Sequence, residues 1–226
     1  MADLPSFRTK PYTPAFYHTS VDYFGPLKVI YSRNSVKEAY GCIFTCLVTR
    51  AVHLELVMDA STQSFLNAWR RFTATRGHVA LIISDNGKNF VGAQEAIRCI
   101  MNDWNINEIE EFCTRNKTEF KWKFLVPGAS HHNGAVERMI RSVRAVINKT
   151  CGSTSFREEE WRTYLAEIAN LVNSRPLYPM SSSAIDQLPI SPNSLLIGHN
   201  NTEVPQITNI INSKVNVRKS FERIQG

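Results

Sequence analysis

The chain has 226 residues, of which 43% are hydrophobic and 20% are charged. These proportions supply enough apolar side chains for a packed core and exclude a wholly disordered chain. The formal net charge of +6 favours a polyanionic partner, although many basic proteins bind nothing acidic.

The sequence has no apolar run of membrane-spanning length, and residues 1–5 lack the charged and then apolar pattern of a signal peptide. Its five cysteines show no spacing typical of a disulfide framework. Cys42 and Cys46 lie within an apolar run, so we expect buried free thiols in a reducing compartment. We therefore expect a soluble, intracellular protein without a membrane partner.

The first part of the chain predicts a lead-in followed by a strand. Residues 1–17 contain three prolines and predict an extended segment. Residues 18–24 are rich in β-formers and predict the first strand, with Asp22 near its C-terminal half. Gly25-Pro26 is expected to end this strand, and residues 27–38 to form a polar connection.

Two further strands and a helix are predicted next. The β-like run at 40–49 and the alternating residues at 52–57 complete an antiparallel meander. Ser61 is a candidate helix cap, and Gly77 is a typical helix terminator. The apolar residues between them recur at helical spacing: Phe65, Trp69 and Phe72.

A short buried strand precedes the most polar turn of the chain. Residues 79–83 are apolar without a break, which is typical of a strand buried on both faces. Ser84-Asp85-Asn86-Gly87 follows, and Asn-Gly is a turn signal. Asp85 is therefore either a carboxylate held at the end of a rigid strand or only the cap of a turn.

The middle of the chain predicts a helix from about residue 92 and a short acidic helix within 105–118. Residues 120–126 alternate as a strand, and 129–134 form a loop. A helix over 132–150 follows, with its apolar residues on one face: Val136, Met139, Ile140, Val143, Val146 and Ile147.

Glu137 lies beside that apolar stripe, on a line with Arg141 and Arg144. The simple alternative is a solvated face with a Glu137–Arg141 ion pair at i, i+4. Further on, Ser155 to Glu158 matches a capping box that would start another amphipathic helix, ended by Pro176. We expect a core domain over residues 18–176 and an irregular extension over 177–226.

This order of elements predicts an α/β fold with a five-stranded mixed sheet, three antiparallel strands followed by parallel ones, flanked by helices. On such a sheet Asp22, Asp85 and Glu137 can converge, although their spacing does not prove that they do. Converging carboxylates require cations, and Mg²⁺ prefers oxygen ligands.

Three blocks of sequence resemble the signature blocks of the retroviral and retrotransposon integrase catalytic core, a DDE transferase with an RNase H-like fold. They are Val21-Asp22-Tyr-Phe-Gly-Pro26, Ser84-Asp85-Asn-Gly-Lys-Asn-Phe90 and Gly134-Ala-Val-Glu137-Arg138. The resemblance covers roughly residues 1–200 and is closest to integrases of BEL/Pao-type retrotransposons. Val136 departs from that group, which usually has an aromatic residue there.

The resemblance implies that Asp22, Asp85 and Glu137 are catalytic and bind two Mg²⁺ or Mn²⁺ ions. It also implies DNA as partner, a homo-oligomer and action in the nucleus. No zinc module is expected, because the cysteines and histidines are not suitably spaced. The expected DNA contacts are Lys88, Asn89, His131, His132, Asn133, Arg138, Arg141 and Arg144.

The expected activity is 3′-end processing and strand transfer in DNA integration. One alternative is a catalytically inactive or domesticated remnant that still binds nucleic acid. A second is a plain RNase H-type nuclease, which the arginine-bearing helix and the blocks at 171–177 and 191–198 disfavour because they match integrases.

Overall fold

The structure is a computed structural model, and it describes residues 12–33, 35–84, 121–124, 134–178 and 189–201. For residues 134–136 it describes the backbone only. The helix predicted from about residue 92 and the short helix predicted within 105–118 lie outside the described residues.

A six-stranded mixed sheet forms the centre of the fold. Its strands are β1 (His18–Ser32), β2 (Ser35–Cys46), β3 (Val52–Val57), β4 (Leu81–Ser84), β5 (Lys121–Phe124) and β6 (Phe156–Arg157). The spatial order is β3-β2-β1-β4-β5, with β6 also paired to β1. β2 pairs antiparallel with both β1 and β3. β4 pairs parallel with both β1 and β5, and β6 pairs parallel with β1. This confirms the predicted RNase H-like arrangement, with one strand more than expected.

In the part of the chain that the structure describes, four helices pack around the sheet: α1 (Thr62–Arg76), α2 (Gly134–Thr150), α3 (Glu158–Asn173) and α4 (Pro192–Ile197). The predicted ends of α1 are confirmed. The Ser61 side chain accepts a hydrogen bond from the Ser64 amide, and Gly77 ends the helix with a φ of 88°. No helix within the described ranges is long and apolar enough to cross a membrane.

The two faces of the sheet carry separate cores. α1 covers one face, where Phe65, Ala68 and Phe72 are fully buried. α2 and α3 cover the other face, and their buried side chains continue one cluster with those of β1, β2 and β3. Its members on the two helices are Met139, Ile140, Val143, Ile147, Trp161, Leu165, Ile168, Ala169 and Val172. The sheet is therefore buried on both sides, as expected for a domain with helices on both faces.

The first strand does not end at Gly25-Pro26, and the polar connection expected over 27–38 was wrong. β1 continues to Ser32 and pairs with β2 as a long hairpin, with a register shift between Phe24 and Leu27. Leu27 and Val29 are buried, which outweighs the local turn signal. The shift interrupts the ladder at Gly25-Pro26, so the proline need not donate a ladder hydrogen bond there.

The capping box expected at Ser155 to Glu158 was also wrong. Phe156 and Arg157 form β6 beside Val29 and Ile30, and α3 begins at Glu158. Phe156 is 5% exposed and packs edge-on against Trp161, so it contributes to the core rather than to a helix cap. The Glu160 carboxylate instead accepts a hydrogen bond from the Arg157 amide at 2.7 Å.

Part of the expected lead-in belongs to the core. Phe16 is 1% exposed and packs against Phe72 at a ring-centroid distance of 5.4 Å. The Tyr17 carbonyl accepts a hydrogen bond from the Ala80 amide at 2.9 Å. The segment just before β1 is therefore held against α1 and β4.

Candidate active site at the edge of strand β1

Asp22 lies on β1, near the middle of the sheet. Its neighbours Val21 and Tyr23 pack into the α1-side core, whereas its cross-strand partner Ile43 belongs to the core under α2 and α3. Because side chains alternate along a strand, Asp22 is on the face covered by α2 and α3. It is half-buried, and its Oδ1 accepts a hydrogen bond from the Tyr23 amide at 2.7 Å.

The sheet opens beside Asp22. On one edge of β1, β4 pairs as far as Ser20, and β6 pairs only from Val29. Between these two pairings the described residues place no strand on that edge. Asp22 therefore lies on a rigid strand between its described pairings with β4 and β6, a position typical of functional side chains.

The end of β4 is fixed by side chains. The Ser20 hydroxyl donates to the Ile83 carbonyl at 3.0 Å, and the Trp122 indole donates to the Ser84 hydroxyl at 2.9 Å. All four residues of β4 are buried. Asp85 follows Ser84 directly in sequence but lies outside the described residues.

The predicted faces of α2 are confirmed where side chains are described. Met139, Ile140, Val143 and Ile147 are buried and Val146 is partly buried. The charged side chains are exposed: Glu137, Arg138, Arg141 and Arg144. Within the described part of the chain, no hydrogen bond or ion pair joins Glu137 to Arg141, so the simple i, i+4 pair is not formed.

The structure thus brings Asp22 and the helix that carries Glu137 to the same face of the sheet. It does not describe the other expected site residues: Asp85, Lys88, Asn89, His131, His132 and Asn133. Among the described residues, no three His, Cys, Asp or Glu side chains form a group able to hold a metal ion. The three-carboxylate site therefore stays a prediction.

The pKa of the Cys42 thiol responds to the negative charge near Asp22. Burial raises the pKa of this thiol well above its usual value, and the charges of Glu55 and Asp22 raise it further. The three cysteines in the described ranges, Cys42, Cys46 and Cys151, are buried and form no disulfide, which agrees with the expectation of buried thiols. Cys42 is therefore a structural thiol rather than a nucleophile.

A second charged cluster at β3 was not predicted. Glu55 accepts from Arg71 at 2.7 Å and pairs with His53 at 3.0 Å, and Arg162 reaches it from α3 at 3.9 Å. His53 and Glu55 are two residues apart on β3, so the sequence does place them on one face of the strand. The arginines come from two distant helices, and no local pattern assigns them to this strand.

The cluster predicts a dependence of stability on pH. Burial tends to raise the pKa of Glu55, but hydrogen bonds and charges from His53 and Arg71 outweigh burial and lower it. A carboxylate whose pKa is lower in the folded state stabilises the fold at pH values above its unfolded-state pKa. This stabilisation is lost as pH falls through the folded-state pKa. We expect Glu55→Gln to lower the free energy of unfolding at pH 7, and the difference from wild type to shrink towards pH 3. Urea unfolding at both pH values measures this, with Glu159→Gln as an exposed control; a difference independent of pH would contradict it.

The apolar faces of α1 and α3 are not exposed, so they do not supply an apolar surface for an oligomer interface. Phe65 and Phe72 on α1, and Leu165 and Val172 on α3, are buried against the sheet of the same chain. The exposed large hydrophobic residues in the described ranges lie elsewhere: Tyr12, Ile30, Tyr31, Val36, Leu177, Tyr178, Ile190, Leu195 and Ile197. The apolar stripes of α1 and α3 are therefore core residues.

Comparisons with known proteins found similar solved structures but no matching family. No protein-family model matches the sequence, and the search of curated proteins found no match. A chain of the simian T-cell lymphotropic virus intasome, solved in complex with PP2A regulatory subunit B56 gamma, is 12% identical with a TM-score of 0.49; the match covers 89% of this chain and 61% of that one. The HTLV-2 integrase catalytic core domain, solved in complex with magnesium in a trimeric form, is 15% identical with a TM-score of 0.48, covering 81% and 97%. Since both scores are below 0.5, the RNase H-like arrangement rests on the strand order of this chain.

Proposed function

We propose that this chain is the catalytic core of a DDE-type integrase that performs 3′-end processing and strand transfer of retrotransposon DNA. One observation carries the proposal. Asp22 lies at the open edge of β1, on the face covered by the helix that bears Glu137. β4 lies parallel to β1 with Ser20 paired to Ile83, and two residues further along each chain are Asp22 and Asp85.

The donor chemistry agrees with a divalent cation. Asp22, Asp85 and Glu137 would hold two Mg²⁺ or Mn²⁺ ions, because hard cations prefer carboxylate oxygens. When bound, such ions activate a nucleophile and stabilise the leaving oxygen in phosphodiester chemistry. Asp22 is half-buried and anchored through Oδ1 to the Tyr23 amide, which holds the carboxylate in one orientation.

The proposed reaction has two steps of the same kind. In the first, water attacks a phosphorus atom near the end of the element DNA and the bond to the 3′ oxygen breaks, which leaves a 3′-hydroxyl. In the second, that hydroxyl attacks a phosphodiester of the target DNA and displaces a target 3′ oxygen. Neither step needs a covalent protein intermediate. The rigid position of β1 supports this proposal because positioning supplies much of the rate in phosphoryl transfer.

The exposed arginines of α2 are proposed to contact DNA phosphates. We expect Arg141→Gln and Arg144→Gln each to weaken DNA binding and to reduce the slope of log K against log salt concentration by about 1. Fluorescence anisotropy with labelled duplex DNA at several salt concentrations measures both values. Arg157→Gln, an exposed arginine at the start of α3, is the matched control. Equal slopes for all four proteins would show that α2 does not contact phosphates.

The direct test of the function is an oligonucleotide assay of the full chain with Mg²⁺ or Mn²⁺. Joined products between a labelled element-end duplex and a target duplex are the expected result. DNA binding without any joined or trimmed product would instead support an inactive nucleic-acid-binding remnant. Cleavage of the RNA strand in an RNA–DNA hybrid without strand transfer would support a nuclease.

The finer parts of the proposal come from the sequence blocks. A BEL/Pao-type origin is proposed from the resemblance of the three blocks and the phrases around them. A homo-oligomer and action in the nucleus are proposed because strand transfer acts on two DNA ends and on chromosomal DNA. Sedimentation of the chain with and without element-end DNA tests the first of these two points.

A further inference from the structure

A cleft of about 450 Å³ lies along the outer edge of β3, between α1, α3 and α4. Its volume is within the range of pockets that bind small molecules. Much of its lining is apolar and comes from Leu54, Leu56, Leu165, Ala169 and Leu196. The cleft is on the opposite side of β2 from β1, so it is separate from the edge that carries Asp22.

The edge of β3 is closed to another strand. The Asn173 side chain accepts from the Val52 amide and donates to the Val52 carbonyl, both at 2.8 Å. Arg71 donates to the Leu56 carbonyl at 3.3 Å. Side chains thus occupy backbone groups near both ends of this strand, a common protection of edge strands. An added peptide strand is disfavoured, and a small molecule is the better occupant.

Most polar side chains in the cleft have partners within the protein. Asn193 donates to Asn170 Oδ1 at 2.8 Å and to the Ser174 hydroxyl at 2.9 Å. Arg71 and Arg162 are paired with carboxylates. These groups are bound by the fold, so they are not the groups that would recognise a ligand.

Arg76 is different. Its Nε donates to His53 Nδ1 at 3.4 Å, while His53 Nε2 pairs with Glu55 at 3.0 Å. Because Arg76 can only donate, His53 Nδ1 is the acceptor of this bond and Nε2 is the ring nitrogen that faces Glu55. The half-buried guanidinium lies over the Phe16 ring, 5.5 Å from its centroid, but its two Nη atoms donate to no residue in the described ranges and no described carboxylate pairs with it. Burial lowers the pKa of Arg76, so an anion in the cleft would restore favourable charge interactions.

The local charge sets the kind of anion. Three arginines, Arg71, Arg76 and Arg162, and two glutamates, Glu55 and Glu158, surround this region, which gives 3 − 2 = +1. A single positive charge matches a monoanion better than a phosphate dianion. We propose that the cleft binds a small organic carboxylate, with its carboxylate on the Nη atoms of Arg76 and its apolar body against the accessible lining residues Ala166, Leu196 and Ile197. The proposal does not depend on the DNA chemistry at β1.

Calorimetric titration of the full chain with 2-naphthoate tests the proposal, with neutral 2-naphthamide and inorganic phosphate as parallel probes. We expect 2-naphthoate to bind and both other probes to bind at least about tenfold more weakly, because a charge-assisted hydrogen bond to Arg76 is then missing or poorly matched. Arg76→Gln should weaken 2-naphthoate binding by at least about tenfold. Arg70→Gln, an exposed arginine of the same helix, should bind like wild type.

A second variant keeps the test independent of the stability of Arg76→Gln. Ala166 is exposed and lines the cleft, so Ala166→Trp should fill the space without disturbing the core. We expect this variant to lose 2-naphthoate binding while its melting temperature stays that of wild type. The proposal is overturned if wild type does not bind 2-naphthoate, if 2-naphthamide or phosphate binds equally well, or if Ala166→Trp binds normally.

Discussion

Asp22→Asn is expected to reduce strand transfer by at least about 10³-fold while leaving the fold intact. A metal-held carboxylate supports several kcal/mol of transition-state stabilisation, and each 1.4 kcal/mol is about a factor of ten in rate. The amide has nearly the same shape as the carboxylate, and its oxygen can still accept from the Tyr23 amide. Asp85→Asn and Glu137→Gln should produce losses of similar size, whereas Glu159→Gln, an exposed acid on α3, should not.

Metal binding gives an independent measurement of the same site. At about 100 times its dissociation constant, a ligand that binds only the folded state stabilises it by about 2.7 kcal/mol. We therefore expect Mg²⁺ or Mn²⁺ to raise the melting temperature of wild type and of Glu159→Gln, but not that of Asp22→Asn or Asp85→Asn. If metal shifts none of these proteins, the three carboxylates do not form a competent site, and a non-catalytic DNA-binding protein becomes the better explanation.

The elements with strong local signals were predictable from the sequence. The alternation at 52–57 predicted β3 with its observed ends, because buried and half-buried side chains alternate from Val52 to Leu56. The caps of α1 were predictable because Ser61 and Gly77 act within one turn of the helix. The buried stripe of α2 followed from its helical period.

Two errors arose where distant residues outweigh a local signal. Gly25-Pro26 is a turn signal, but Leu27 and Val29 are buried beneath α3, and the Trp161 indole donates to the Lys28 carbonyl at 2.8 Å. That contact joins residues more than a hundred positions apart. Likewise β6 exists because β1 continues far enough to pair with it, so an error in β1 produces an error at Phe156.

The charged residues of the fold also include some that local patterns predict and others that they do not. Asp22 and Glu137 were assigned to a strand and to a helix flank by local periodicity, and the structure describes both on those elements. The two arginines that reach Glu55, Arg71 and Arg162, follow no such local pattern. A single arginine on an amphipathic helix is most often solvated, so only the packing of α1 and α3 beside β3 identifies these residues.

Phe72→Ala is expected to cost about 3–5 kcal/mol of unfolding free energy, the largest stability effect that we predict. Phe72 is fully buried on α1 and stacks on Phe44 with ring centroids 4.1 Å apart and planes 3° apart. The ring also contacts His53 and Trp69 at centroid distances of 5.3 and 5.7 Å. Its removal would leave a cavity between α1 and the sheet that rigid β-strands cannot close.

Phe72→Leu separates the loss of volume from the loss of ring contacts. It should cost less than Phe72→Ala, because most of the apolar volume remains and only the aromatic contacts, about 0.5–1.5 kcal/mol for a pair, are removed. Urea unfolding followed by far-UV circular dichroism measures each free energy. Tyr178→Ala removes an aromatic ring that is 51% exposed and should stay within about 0.5 kcal/mol of wild type. A Phe72→Ala protein as stable as Tyr178→Ala would mean that α1 does not pack on the sheet through Phe72, and the α1-side core would then have to be assigned differently.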